Sequence, residues 1–276
     1  GPSSTYNFIL QGGGSSTHVY QSGNFIDLNR NGQLDGTDTG WAMFSGTYTP
    51  YATPFDVPPA TTEPAPVAYQ RVVALSGAMP WRRDSNDQRI ASTVRQQNGM
   101  IIDAVSQVGT WPTLVSEPAP TDSDNDGMPD FWELATGSNP NLASDRNITN
   151  ALTGYTRLEE YLNWRGEAHA LCDRNGFVDV NLRTATGGAT NLTYAVTSGV
   201  NGSVTLLADG YTARFTAAAN TNGLANFTFT ATGNSTTFGP IPYGILIPTT
   251  NAPVVNTPPT LQPIADHTII AGTTAN

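Results

Sequence analysis

The sequence predicts a mainly β fold interrupted by one small helical module that holds calcium. Three observations carry this expectation. Charged residues make up only 12% of the chain, while 27 Gly and 20 Pro supply turns, a composition suited to many short strands. From Cys172 to Ile247 apolar and polar residues alternate, which is the period of a half-buried strand. Between these features and the N-terminal half, carboxylates recur over residues 122–133 with the spacing of an EF-hand loop.

The loop runs Asp122-Ser123-Asp124-Asn125-Asp126-Gly127-Met128-Pro129-Asp130-Phe131-Trp132-Glu133. Asp122, Asp124 and Asp126 alternate so that three carboxylates converge, and Gly127 permits the sharp turn. Met128 is expected to offer its backbone carbonyl, Asp130 to bind directly or through water, and Glu133 to close the site with two oxygens. The competing reading is a solvated acidic turn. It leaves four Asp and one Glu repelling one another, so Ca²⁺ is the expected cofactor. A second stretch, Asp27, Asn29, Asn31, Asp35 and Asp38 with Gly32, has the same spacing. It is the weaker candidate, because two Asn replace Asp and Asp38 is too short to equal a bidentate Glu. The stretch from Thr149 to Glu160 has the length of a further loop but offers Thr149, Ala151 and Thr153 at its first ligand positions, so no ion is expected there.

The net charge of −10 makes nucleic acid and acidic membrane surfaces poor partners. No apolar run is long enough to cross a bilayer. The single Cys172 has no partner for an internal disulfide and is expected to be a small buried hydrophobe. The chain opens on Gly1-Pro2 and stops at Asn276 in what resembles a fresh strand, which predicts a fragment of a longer protein.

Residues 1–50 alternate short apolar runs with Gly and Asn turns, suiting either a sandwich or the rungs of a parallel β-helix. A Pro-rich extended segment follows to Pro66. Helices are then expected with Ala68, Tyr69, Val72, Val73 and Leu75 on one face, and after a capping box at Ser85-Asn86-Asp87-Gln88 with Ile90 and Val94 inward. Met100-Ile101-Ile102 is expected to be buried. Arg82, Arg83, Asp84, Asp87 and Arg89 form a charge cluster best explained as structural ion pairs. Beyond the calcium loop, Phe131 to Thr136 is expected to be helical with Gly137 as its stop, and Thr156-Arg157-Leu158-Glu159 to cap a helix whose inner face is Leu158, Tyr161 and Leu162. Trp132 and Trp164 are expected in the core. Six or seven short strands between 172 and 247, with a hairpin turn at Asp209-Gly210, predict an Ig-like β-sandwich.

These stretches carry a resemblance. Arg82-Arg83-Asp84, Asp87, Arg89-Ile90, Gly99-Met100-Ile101-Ile102-Asp103, Val108-Gly109-Thr110-Trp111-Pro112, Asp122 to Glu133 and Gly154-Tyr155-Thr156-Arg157-Leu158-Glu159-Glu160-Tyr161-Leu162-Asn163 look like the C-terminal tail of bacterial pectate-lyase-like polysaccharide lyases. Gly1-Pro2-Ser3-Ser4 and Gly23-Asn24-Phe25-Ile26-Asp27 are similar to the last rungs of that family's right-handed parallel β-helix. Residues 172–247, with Asn201-Gly202-Ser203-Val204, resemble cadherin- and Ig-like accessory domains. The resemblance implies a secreted enzyme that cleaves acidic, pectin-like polysaccharide by β-elimination. Calcium would neutralise the uronate and an Arg would take the neighbouring proton. No residue here matches that catalytic machinery, so the catalytic residues are unknown and expected upstream, and the 122–133 loop is expected to be a structural clamp.

The expected organisation is therefore last β-helix rungs over 1–50, a packed tail with two short helices over 51–115, and an EF-hand-like calcium module over 116–168. An Ig-like sandwich over 169–248 and a linker with the start of a further repeat over 249–276 complete it. The alternative function is a non-catalytic extracellular adhesion or carbohydrate-binding protein stiffened by calcium.

Overall fold

The computed structural model describes residues 8–29, 31, 33–58, 62–77, 79–113, 118–233 and 235–249. Gly1-Pro2-Ser3-Ser4, part of the 27–38 loop and the further repeat expected over 249–276 lie wholly or largely outside them. The architecture is mixed α/β with small sheets. Among the described residues no sheet closes on itself, and no β-helix is formed.

At the N-terminal side, β1 (Phe8–Leu10) pairs in parallel with β3 (Phe44–Gly46), and β2 (His18–Tyr20) with β4 (Thr49–Tyr51). The pairs are in register, so Phe8 stacks on Phe44 with ring centroids 4.4 Å apart. Ile26, Met43 and Phe44 form the buried cluster beneath them.

Helix α1 (Ala65–Leu75) starts with Pro66 in its first turn, where a missing N–H costs no hydrogen bond. Val73 and Ala74 are its buried residues, whereas Val72 stays exposed. Helix α2 (Ser85–Gln96) is capped one residue earlier than the sequence predicts: the Asp84 side chain accepts from the backbone N–H of Asp87 at 2.9 Å. Its inner residue is Ala91, and Ile90 and Val94 are exposed, contrary to expectation. The reason is Arg95 and Arg83, which take the inner side. Arg83 donates to the carbonyls of Val73 at 3.0 Å, Ser76 at 2.8 Å and Gly187 at 3.4 Å, and Arg95 to those of Val73 and Thr186, both at 3.4 Å. The ion pairs expected among Arg82, Arg83, Asp84, Asp87 and Arg89 are not among those formed by the described residues; Arg83 and Arg95 fasten this segment instead through carbonyls near the C-terminal end of α1 and at residues 186 and 187. Met100 and Ile101, expected to be buried, are strongly exposed.

The C-terminal body holds two sheets. One has the order β5 (His169–Leu171), β11 (Thr236–Ile247), β10 (Gly223–Gly233), β7 (Thr193–Ser198), and the other β6 (Phe177–Asn181), β9 (Thr212–Ala217), β8 (Gly202–Leu206). Their inner faces share one core in which Phe215, Phe227, Phe229, Phe238, Ile245 and Ile247 are almost fully buried. Period-two alternation produces this directly: Ala225, Phe227, Phe229 and Ala231 are buried while residues between them are not. Cys172 is buried, as expected. Leu182 begins a short helix, α5 (Leu182–Ala185), instead of extending the strand. Asp209 anchors the β8–β9 turn by accepting from the N–H groups of Tyr211 and Thr212.

Between these parts lie α3 (Asp130–Thr136), which ends at Gly137 with φ 84°, and α4 (Arg157–Gly166). Thr156 and Glu159 form the predicted capping box. Met128, Trp132, Ala135, Tyr161 and Trp164 pack with Leu246 of β11. Trp132 and Trp164 are core residues, as expected, whereas Leu162 is exposed and Trp164 takes its place on the inner face.

Candidate metal centre

The loop before α3 is wound by its own side chains. Asp122 accepts from the N–H groups of Asp126 at 3.3 Å and Gly127 at 3.0 Å. Asp126 Oδ1 accepts from the N–H of Met128 at 2.8 Å. Asn125 (φ 59°) and Gly127 (φ 97°) take left-handed backbone, which Asn tolerates and Gly adopts freely. The Asp130 N–H donates to the Thr121 carbonyl at 2.9 Å and closes the loop onto the helix start.

This winding brings Asp122, Asp124 and Asp126 together, with one oxygen of each within 4.8 Å of the others. Asp126, Glu133 and Asp145 form a second such group. Asp126 is therefore common to both. Asp130 is directed elsewhere: its two oxygens accept from the N–H and hydroxyl of Ser123 at 2.8 and 2.7 Å. The Met128 side chain is fully buried in the core under the loop.

The chemistry of the donor set fits a hard cation. Both oxygens of Asp124, both of Glu133, Oδ2 of Asp126 and Oδ1 of Asp145 are buried and receive no hydrogen bond. Burial, followed by the charges of Asp126, Asp124, Asp145 and Asp130, pushes the Glu133 carboxyl up to about 7. Asp126 is raised too, chiefly by burial. Buried carboxylates without donors are strongly disfavoured unless paired or bound to metal. Oxygen ligands at about 2.3–2.6 Å around one Ca²⁺ satisfy them together. Calcium bound here would be held by Asp124, Asp126, Glu133 and their neighbours, and would supply positive charge that fixes the loop.

Sequence reasoning missed Asp145. It sits in a 3-10 turn, Asp145–Asn147, far beyond the loop's twelve positions. The available signal was Arg157, whose Nη1 donates to Asp145 Oδ2 at 2.8 Å.

The 27–38 stretch is arranged differently. Asp35 accepts from the side-chain amides of Asn29 at 3.1 Å and Asn31 at 3.0 Å, and Asp38 from the N–H of Gly40 at 2.7 Å. Among the described residues no acidic group of metal-binding spacing forms there. In the 149–160 stretch, Glu160 Oε1 accepts from Asn150 at 2.7 Å and Thr153 at 2.9 Å. Neutral donors occupy the carboxylate that an ion would take in an intact loop.

The fold and site together describe a mixed α/β chain with a buried acidic cluster that could hold a metal. Its sequence is similar to that of fungal proteins described as probable pectate lyase C. The chain is 30% identical over 167 residues to the one from Aspergillus terreus, covering 59% of this chain and 39% of that protein. It is 29% identical over 155 residues to the one from Aspergillus flavus, covering 55% and 36%, and 30% identical over 174 residues to the one from Aspergillus fumigatus, covering 59% and 39%. The chain thus spans less than half the length of these relatives. No family model matches it. Among the described residues no helix is long and apolar enough to cross a membrane.

Proposed function

We propose that this chain is the C-terminal portion of a secreted, calcium-dependent polysaccharide lyase of the pectate type. The observation that carries this reading is the similarity to proteins described as probable pectate lyase C. In this reading Asp122, Asp124, Asp126, Met128, Asp130 and Glu133 belong to a structural calcium clamp, and the catalytic groups lie upstream. Two features support it. The in-register parallel pairs with Phe8 over Phe44 are of the kind found between neighbouring stacked rungs, although among the described residues they do not extend into a β-helix. The two-sheet body has the face-to-face packing of an Ig-like accessory domain.

The test joins the chain to its upstream sequence and follows unsaturated product from polygalacturonate in the presence of calcium. Activity of the joined protein with none from this chain alone is expected. A joined protein that is inactive on polygalacturonate and other acidic polysaccharides, yet sediments with insoluble polysaccharide, would favour the adhesion or binding reading. That second reading draws on the two-sheet body.

A further inference from the structure

We infer that Asp145 is a ligand of the same ion, supplied from outside the twelve-residue loop and aimed by Arg157. This deepens the reading of residues 122–133 as a cation site and rests on it. Asp145 is 3% exposed. Its Oδ2 accepts from Arg157 Nη1 and from the Asn139 N–H, both at 2.8 Å. Its Oδ1 is buried and has no donor. An Asp145 oxygen lies within 4.8 Å of oxygens from Asp126 and Glu133, which are 2% and 0% exposed.

The two ends of the carboxylate therefore have separate tasks. Arg157 and Asn139 fix Oδ2, which leaves Oδ1 without a donor, like Asp126 Oδ2 and both Glu133 oxygens of the same group among the described residues. A separation up to 4.8 Å is what two oxygens bound at about 2.4 Å to one Ca²⁺ can span. The nearby Arg146 is engaged otherwise, donating to the Asp126 carbonyl at 3.0 Å. Asp145 thus takes a coordination position that a water fills in a site built from one loop alone. A cage closed by buried carboxylates strips water from its ion, which favours Ca²⁺ over the reluctantly dehydrated Mg²⁺.

The experiment loads the whole chain with Tb³⁺, sensitised by the tryptophans. Luminescence lifetimes in H₂O and D₂O count bound waters, and competition with Ca²⁺ gives affinity. Asp145→Ala, which leaves no side-chain oxygen, is expected to weaken Ca²⁺ binding about tenfold or more and to admit about one extra water. Arg157→Gln breaks the same ion pair but keeps the carboxylate. It is expected to weaken binding without the extra water, which separates lost ligation from general loosening. Circular dichroism of each variant at saturating Ca²⁺ checks the fold. Absence of Tb³⁺ and Ca²⁺ binding in the unaltered chain overturns the cation-site reading and this inference with it. Binding in the unaltered chain, with an unchanged water count in Asp145→Ala, overturns the inference alone.

Discussion

The imidazole of His169 lies against the indole of Trp164, with ring centroids 3.8 Å apart and planes inclined by 34°. Trp81 meets the same imidazole edge-on at 4.6 Å and donates its own N–H to the Gly166 carbonyl at 3.2 Å. Three parts of the chain converge here: the segment before α2, the end of α4 and strand β5. Burial pushes the His169 pKa down to about 4, against a weaker opposing effect from its 2.8 Å hydrogen bond to the Glu167 carbonyl.

A pH dependence follows. The unfolded chain takes up a proton on this imidazole near its ordinary value of about 6.5, before the folded chain does. The stability contributed by neutral His169 is complete above that value and is lost as pH falls toward about 4, at up to about 1.4 kcal/mol per pH unit. Melting temperatures of the calcium-loaded protein are expected to fall more steeply across this window than those of His169→Gln. Parallel curves would refute the assignment.

Glu133 behaves in the opposite sense when no ion is present. Its folded pKa is raised to about 7, so its destabilising effect grows as pH rises from about 4.5 through that value and the carboxylate ionises unpaired. Glu133→Gln is expected to raise the melting temperature of the chelator-treated protein at pH 8 and to abolish the further rise that calcium gives the unaltered chain. Differential scanning fluorimetry with and without calcium reads both; a variant that still responds to calcium would count against Glu133 as a ligand.

Calcium removal should loosen residues 118–168 first. Their own core is small and leans on the two-sheet body through Leu246, Leu171 and His169. Limited proteolysis after chelation is expected to cut there while strands β6 to β11 stay protected. Identical digestion with and without calcium would remove the structural role.

Gly202 lies against the Phe215 ring and the Thr216 carbonyl, where an added Cβ has no room. Because Phe215 is fully buried and stacks on Phe227, Gly202→Ala must displace the core. A loss of about 1–3 kcal/mol in urea unfolding is expected, and an unchanged midpoint would show that the ring yields freely.

Arg83→Met should remove several donors from carbonyls of α1 and of Gly187 at once. Loss of charged hydrogen bonds to buried carbonyls is expected to cost about 1.5–3 kcal/mol, read in the same unfolding assay. A wild-type midpoint would mean that water replaces the guanidinium.

How much of this was legible differs from place to place. The acidic loop was readable because its groups follow one another at fixed spacing, and the strands of the two-sheet body because alternation is local. Asp145 was not, since its approach to Glu133 depends on the turn at 139–147 and on Arg157 of α4. The inner face of α2 was misassigned for a related reason. Periodicity favours burying Ile90 and Val94, but carbonyls near the end of α1 and at Thr186 draw Arg95 inward instead. Strand β5 escaped notice because it has three residues and its order comes from parallel pairing with β11, distant in sequence. Exposure of Met100 and Ile101 has no local explanation in the residues around them.

The degenerate 149–160 loop has a consequence for how quickly the ion is captured. Asn150 and Thr153 already satisfy Glu160, and Thr149 bridges to Thr156. These contacts are made among uncharged groups and Glu160, apart from the 122–133 carboxylates, and they brace the start of α4 that carries Arg157. At the proposed calcium site an arriving ion would therefore find part of its surroundings already braced, and mainly the 122–133 side would have to settle around it. Ordering entropy lost during folding would then not count against binding.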